Sequence, residues 1–294
     1  MVDVLVILDG ACEAPGAPDS TLQEAYTPAL DRLVCEGRLT WLQTVAPGLP
    51  VGSETAIAGL LGWRPRAPVD RGAIEAAARG IVAPAGHRAW RVDVTDGRGG
   101  RGGETAAAAA AAQLRVQLCG HAVHEIGGHR LLLLGPAPLP RMPAGLRLRV
   151  WPEGARPPRM LDHSTVVIGA AGAAIGLARL LGAAAVVPPG ATGRPDSDLA
   201  AKSQAALAAI AAGAHRVVVH VGGADEASHD RDRPAKIAVI ETADRDVIGP
   251  LMQAVRAVAG QLRVCPDHGC DPSTGEHLTG PVPHVSWSAS LVPA

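Results

Sequence analysis

The chain has no phenylalanine, one tyrosine and five tryptophans in 294 residues. A groove that stacks successive bases on aromatic rings needs more of them. With a formal net charge of -1 and no concentrated basic face, nucleic acid is not an expected partner. Long apolar runs are lacking too. The alanines 106 to 112 are too short and too small-sided to span a bilayer, and Met1-Val2-Asp3 lacks the basic start of a signal peptide. These absences predict a cytoplasmic protein with no membrane partner. Cys12, Cys35, Cys119, Cys265 and Cys270 are odd in number and show no CxxC spacing. That pattern argues against a disulfide framework and a zinc ribbon and leaves free thiols. Lysine is scarce beside arginine, a bias of composition without functional weight.

Apolar residues make up 47% of the sequence, enough for a substantial core in one large or two ordinary domains. Val2 to Leu8 reads as a buried strand ended by Asp9-Gly10. Thr27 to Gly37 predicts a helix capped by Thr27, with Pro28 at its first position and Leu30, Leu33 and Val34 on one face. Later, Ala201 to Ala212 reads as a helix, His215 to Val221 as a buried strand, Ile237 to Leu262 as one or two helices, and Leu262 to Cys265 as another strand. This alternation predicts an α/β fold with a mostly parallel sheet flanked by helices. In such sheets sites lie beyond the carboxyl ends of strands, so Asp9, Asp225 and Asp267-His268 can converge although far apart in sequence. Residues 71 to 160 differ in character. They hold the Gly97 to Gly103 loop with Arg98 and Arg101, an alanine-rich helix, a strand candidate at Leu131 to Leu134 and a proline-rich stretch from Pro136 to Pro158. They predict a small α+β insert between core segments 1 to 70 and 161 to 294.

The densest chemistry lies between Asp225 and His277. Asp225 and His229 are four apart and would share one face of a helical turn, where both can reach one metal. Asp267-His268 follows a strand directly, and at a strand-to-loop corner the two can turn toward the same or adjacent ions. With Asp9 and His277 they supply what a pair of divalent metals needs. Ser53 follows Gly52 ahead of a helix read over Thr55 to Leu61. Such a serine is ordinarily an N-cap. The sharper reading is a nucleophile, because a helix N-terminus favours phosphate and a nearby metal makes the alkoxide accessible.

The run Val51-Gly52-Ser53-Glu54-Thr55-Ala56 leading to Leu61-Gly62-Trp63 is followed by Arg71-Gly72-Ala73-Ile74-Glu75-Ala76 and by Pro189-Gly190-Ala191-Thr192-Gly193 with Asp196, Asp198 and Lys202. Together with Asp225 to Asp230 and Asp267-His268, these motifs resemble the archaeal-type cofactor-independent phosphoglycerate mutases of the alkaline phosphatase superfamily. The resemblance covers about residues 1 to 80 and 164 to 294 and implies an alkaline phosphatase-like core with an inserted lid. It implies one metal held by Asp225, His229 and His277 and a second by Asp9, Ser53, Asp267 and His268. Ser53 would take the phosphoryl group and Lys202 would contact it. Arg71, Arg91, Asp96, Arg98 and Arg101 would bind substrate, a task that suits the planar fork of arginine. The implied activity is isomerisation of 3-phosphoglycerate and 2-phosphoglycerate through a phosphoserine, in glycolysis.

Members of that family are longer, and the missing length falls after Gly135. No counterpart of their Asp-Thr-Asp-Pro-His segment follows, and Asp162-His163 is at best an echo of it. Three readings therefore stand: a mutase, a repurposed phosphoryl or phosphonyl transferase or phosphatase of specialised metabolism, and a metal-binding protein without catalysis. The expected partner is a small phosphorylated or phosphonylated metabolite, and monomer is the default state. Oxygen and imidazole ligands without thiolate suit Mn, Mg or Zn.

Overall fold

A computed structural model describes residues 1–98 and 100–289. Gly99, within the glycine-arginine loop, lies outside the described residues. The chain divides into two compact units, one formed by Met1–Arg66 with Pro157–Ala294 and the other by Ala67–Arg156. Among the described residues no helix is long and apolar enough to cross a membrane.

The larger unit is an α/β fold built on a seven-stranded, mostly parallel sheet. From edge to edge its strands are Arg38–Leu42, Val282–Ser288, Gln261–Cys265, Asp3–Leu8, Arg216–Val221, Thr165–Ile168 and Ala184–Val186. Val282–Ser288 runs against both of its neighbours, whereas the five strands from Gln261–Cys265 to Ala184–Val186 are parallel. Val4, Leu5, Val6 and Ile7 of the central strand are all fully buried. A parallel strand covered on both faces reads as a continuous apolar run for this reason. Helices Leu199–Ala211, Arg233–Ala243 and Gly249–Ala257 bury Leu199, Ala206, Val239, Ile240, Leu251 and Val255 in the core that includes Val4, Val6, Val217 and Val219. The last two are joined by a π-helical turn, Asp244–Ile248.

That turn corrects one expectation. The helix Pro28–Glu36 starts after Thr27, but the Thr27 side chain makes no capping hydrogen bond. Asp244 supplies the cap instead, accepting from the backbone N–H of Ala29 at 3.0 Å and of Leu30 at 2.7 Å. A buried carboxylate at a helix N-terminus satisfies two orphan donors and meets the positive end of the dipole. Leu30 and Leu33 form the buried face of this helix, while Val34 is exposed.

The smaller unit is α+β. Its antiparallel sheet runs Ala122–Glu125, Arg130–Pro136, His87–Val94 and Leu148–Val150. Side chains alternate across it with period two. Trp90, Val92, Val94, Leu131 and Leu133 face the helix Glu104–Gln117, and Ala89 and Leu132 pack with Ala76 of the helix Arg71–Ala78. A Cβ at Gly72 would stand 1.9 Å from the Ala89 carbonyl oxygen, so only glycine lets this helix lie so close to the sheet.

The same sheet face carries a buried ion network. Arg91 holds Asp93 through two hydrogen bonds, 2.8 Å and 3.3 Å, and reaches Glu75 with its third nitrogen at 3.0 Å. Glu75 also takes Arg79 at 2.7 Å, and Trp151 donates to Asp93 at 2.7 Å. Burial pushes the Glu75 carboxyl up, but Arg91, Arg71 and Arg79 outweigh it and bring it down to about 2. Its contribution to stability is therefore complete above the ordinary glutamate range and is lost as the pH falls from about 4.5 toward 2. Replacing Glu75 by alanine leaves buried Arg91 short of one partner and is expected to cost about 3–5 kcal/mol at neutral pH, less below pH 3, as measured by urea titration at both pH values.

Candidate functional site

Three adjacent parallel strands end at one level. Ile7 is in register with both His220 and Cys265, so Asp9, the turn after Val221 and Asp267 leave the sheet side by side. From the central strand comes Asp9. The helix Gly223–His229 follows the next strand and presents Asp225 and His229 one turn apart, with His229 Nε2 3.1 Å from Asp225 Oδ2. Asp267 and His268 follow the third, and His277 sits on Glu276–Leu278, which pairs with Gly269–Asp271 as a small hairpin. Gly10 permits this crowding. It has φ +62°, and a Cβ there would lie 2.8 Å from the Asp225 carboxylate.

Ser53 is the first residue of the helix Ser53–Leu60, with Gly52 before it. It is thus not the cap, and its hydroxyl is used across the site. Ser53 Oγ lies 3.3 Å from each oxygen of Asp9 and 3.3 Å from His268 Nε2. Lys202 is fully buried on the helix Leu199–Ala211 and donates to the His220 carbonyl at 3.0 Å. Burial lowers it to about 8, against the pull of Asp9.

The histidines are oriented by the backbone. The Nδ1 atoms of His229, His277 and His268 lie 2.7 Å, 3.1 Å and 3.2 Å from the carbonyls of Gly275, Val51 and Gly269. A carbonyl only accepts, so each Nδ1 carries a proton and each ring turns its Nε2 to the cluster, where burial lowers His277 but Asp225 outweighs it, favours the protonated form and raises it to about 9. His229 Nε2 and His277 Nε2 are 3.0 Å apart. Two nitrogens at that distance need a proton or a metal ion between their lone pairs. Asp225 Oδ1 and Asp267 Oδ2 are buried without a hydrogen bond, although His277 Nε2 stands 3.3 Å from the former. Orphaned carboxylate oxygens beside imidazole lone pairs fit divalent metal ions. One ligand atom each from Asp225, His229, Cys270 and His277 lies within 4.8 Å of the others, and the same is true of Asp9, Asp225 and His268.

Electrostatics point the same way. Burial, then the charges of Asp267 and Asp225, push the Asp9 carboxyl well above its usual range. Burial also raises Asp225, but His229 and His277 outweigh it and hold the group well below that range.

His220 was not singled out from the sequence. It is buried, its Nε2 lies 3.1 Å from Asp9 Oδ2, and burial lowers it to about 4. The available signal was a lone histidine inside the apolar run His215 to Val221. In the smaller unit, Arg91 is buried and committed to Asp93 and Glu75, and Arg71 is half-buried with its Nε 3.5 Å from Glu75. Asp96 closes its own loop by accepting from the N–H groups of Arg98 at 2.8 Å and Gly100 at 2.7 Å. Arg98 and Arg101 are exposed.

Replacing Asp267 by asparagine keeps an acceptor for the Gly10 and His268 N–H groups, now bonded at 3.2 Å and 2.9 Å, and removes one charge facing Asp9. The chelated variant is expected to melt above the chelated wild type. The stabilisation gained on adding metal, about 2.7 kcal/mol at a hundredfold excess over Kd, should be largely lost. Calorimetry with and without chelator checks both signs.

Comparisons with known proteins bear on the family and the fold. A 2,3-bisphosphoglycerate-independent phosphoglycerate mutase of Methanoculleus marisnigri is 29% identical over 362 aligned positions, covering 96% of this chain and 87% of the relative. One from Ignicoccus hospitalis is 27% identical, covering 99% and 89%. Both alignments are longer than this chain, so the relatives carry segments without a counterpart here. A solved protein of Pyrococcus horikoshii shares the fold with a TM-score of 0.78 at 23% identity, over 98% of this chain and 85% of its own. The cofactor-independent phosphoglycerate mutase of Thermoplasma acidophilum gives 0.55 at 19%, over 98% and 90%. The model of the Metalloenzyme superfamily matches residues 1–293 without a break between the two units. With buried carboxylates and backbone-oriented imidazoles gathered at one sheet edge, the chain belongs to the Metalloenzyme superfamily.

Proposed function

We propose that the chain transfers a phosphoryl group through Ser53 and interconverts 3-phosphoglycerate and 2-phosphoglycerate with two divalent metal ions. The observation that carries this reading is Ser53 itself, a hydroxyl at a helix N-terminus 3.3 Å from Asp9 and His268 in a cluster of metal-type ligands. The names of the relatives supply the substrate.

Asp225, His229 and His277 would hold one ion, and Asp9, Ser53, Asp267 and His268 the other. Bound there, the ions supply positive charge that favours the serine alkoxide and offsets charge on the phosphoryl oxygens. Ser53 Oγ attacks phosphorus in line, so that the Ser–O–P bond forms as the P–O bond to glycerate breaks. Attack by the neighbouring glycerate hydroxyl reverses the exchange and frees the serine. The N-terminus of the Ser53–Leu60 helix favours the anion in both steps. Lys202, which feels the charge of Asp9, would neutralise the phosphoryl oxygens. His220 steadies Asp9 from behind through its 3.1 Å contact. Arg71, Arg98 and Arg101 with Asp96 recognise the carboxylate or phosphate of the substrate, and Arg91 acts by fixing Asp93 and Glu75.

A second reading has one observation in its favour, the segments of the relatives that this shorter chain lacks. Without them the same centre could pass the group to water or to another alcohol. Phosphorus NMR of the protein with 3-phosphoglycerate and manganese separates the two, since growth of the 2-phosphoglycerate signal supports the mutase and free phosphate alone supports the hydrolase. Ser53→Ala is expected to lower turnover by about 10⁴-fold or more, the scale of deleting a nucleophile, with an unchanged melting temperature. Retained turnover in that variant removes Ser53 from the chemistry.

A further inference from the structure

We infer that Cys270 is a fourth ligand of the ion held by Asp225, His229 and His277, and that its thiolate gives this centre a preference for zinc or cobalt over manganese or magnesium. The inference rests on the proposed reading of those three residues as metal ligands and extends it to a residue type absent from the donor set expected above.

Cys270 lies directly opposite His277 in the antiparallel pairing of Gly269–Asp271 with Glu276–Leu278. Residues so paired project to the same face, with Cβ atoms about 4.5–5.5 Å apart. The hairpin therefore offers a sulfur and an imidazole together. Cys270 Sγ falls within 4.8 Å of ligand atoms from Asp225, His229 and His277. Two metal-ligand bonds of about 2.0–2.3 Å each nearly span that separation.

The cysteine is also held in place. It is fully buried, its N–H donates to the Cys12 carbonyl at 3.0 Å, and its carbonyl accepts from Lys236 Nζ at 2.6 Å. Lys236 is itself buried and paired with Glu13 at 2.8 Å. A sulfur fixed by its backbone beside the Asp225 carboxylate is a pre-organised donor. On binding, the thiol proton leaves to solvent as the sulfur–metal bond forms. Two imidazoles, one carboxylate and one thiolate make a donor set of the kind zinc and cobalt favour, and a soft sulfur disfavours manganese and magnesium.

The test is cobalt titration of the metal-free full chain, followed by absorption spectroscopy. The wild type is expected to show visible d–d bands together with an intense near-ultraviolet sulfur-to-cobalt charge-transfer band. Cys270→Ser should lose the second band, keep the first and weaken zinc binding about 10-fold or more, whereas Cys12→Ser keeps both bands. Cobalt bound to the wild type with no charge-transfer band overturns the inference and leaves the three other ligands standing. No cobalt bound at all overturns the metal reading and the inference with it. If Cys270→Ser does not fold, X-ray absorption of the zinc-loaded wild type decides, since a sulfur shell near about 2.3 Å supports the ligand and its absence refutes it.

Discussion

Asp9, Asp225 and Asp267 are buried in one cluster at the carboxyl ends of three adjacent strands, and the larger unit is organised around keeping them there. Buried carboxylates repel one another and lose hydration, and a protein offsets this with hydrogen bonds, cations or protons. Here the backbone N–H groups of Gly10 and His268 take one oxygen of Asp267, His220 takes one of Asp9, and His229 and His277 turn their Nε2 atoms to Asp225. Charge compensation is left incomplete by the protein's own groups. That residual negative potential is what a divalent cation would offset.

The smaller unit solves the opposite problem. Its buried Glu75 and Asp93 are matched by Arg91 and Arg79 with short, paired hydrogen bonds, and Trp151 closes the remaining acceptor. Networks satisfied in this way rigidify a surface. Three arginines, Arg149, Arg91 and Arg71, lie 4.6 Å, 5.4 Å and 5.7 Å from the Trp151 ring centre. The ring face attracts the guanidinium groups, and Glu75 and Asp93 hold Arg91 in a fixed position.

Much of this was legible in the sequence, and for local reasons. An apolar run that stops at a carboxylate announces a strand end, and so Asp9 and Asp267 could be placed at the sheet edge. What escaped the reading depends on partners distant in sequence. Thr27 has the right chemistry for a cap, yet Asp244 from a π-helical turn does the work. Arg38–Leu42 and Val282–Ser288 become strands because they pair with each other and with Gln261–Cys265, a fact no local pattern carries. His220 hid inside a β-branched run. Cys270 escaped because cysteines were judged against each other, whereas its partners are histidines and an aspartate.

Lys202 and Lys236 are the only lysines in the chain, and both are fully buried with their ammonium groups turned to backbone carbonyls. Every cationic side chain left at the surface is therefore an arginine or a protonated histidine. Such a surface offers no lysine for acylation, methylation or isopeptide attachment, and an amine-directed reagent applied to the folded protein meets no lysine side chain. The scarcity that looked like a bias of composition in the sequence thus has a structural consequence, a protein whose side-chain amines are reserved for its interior.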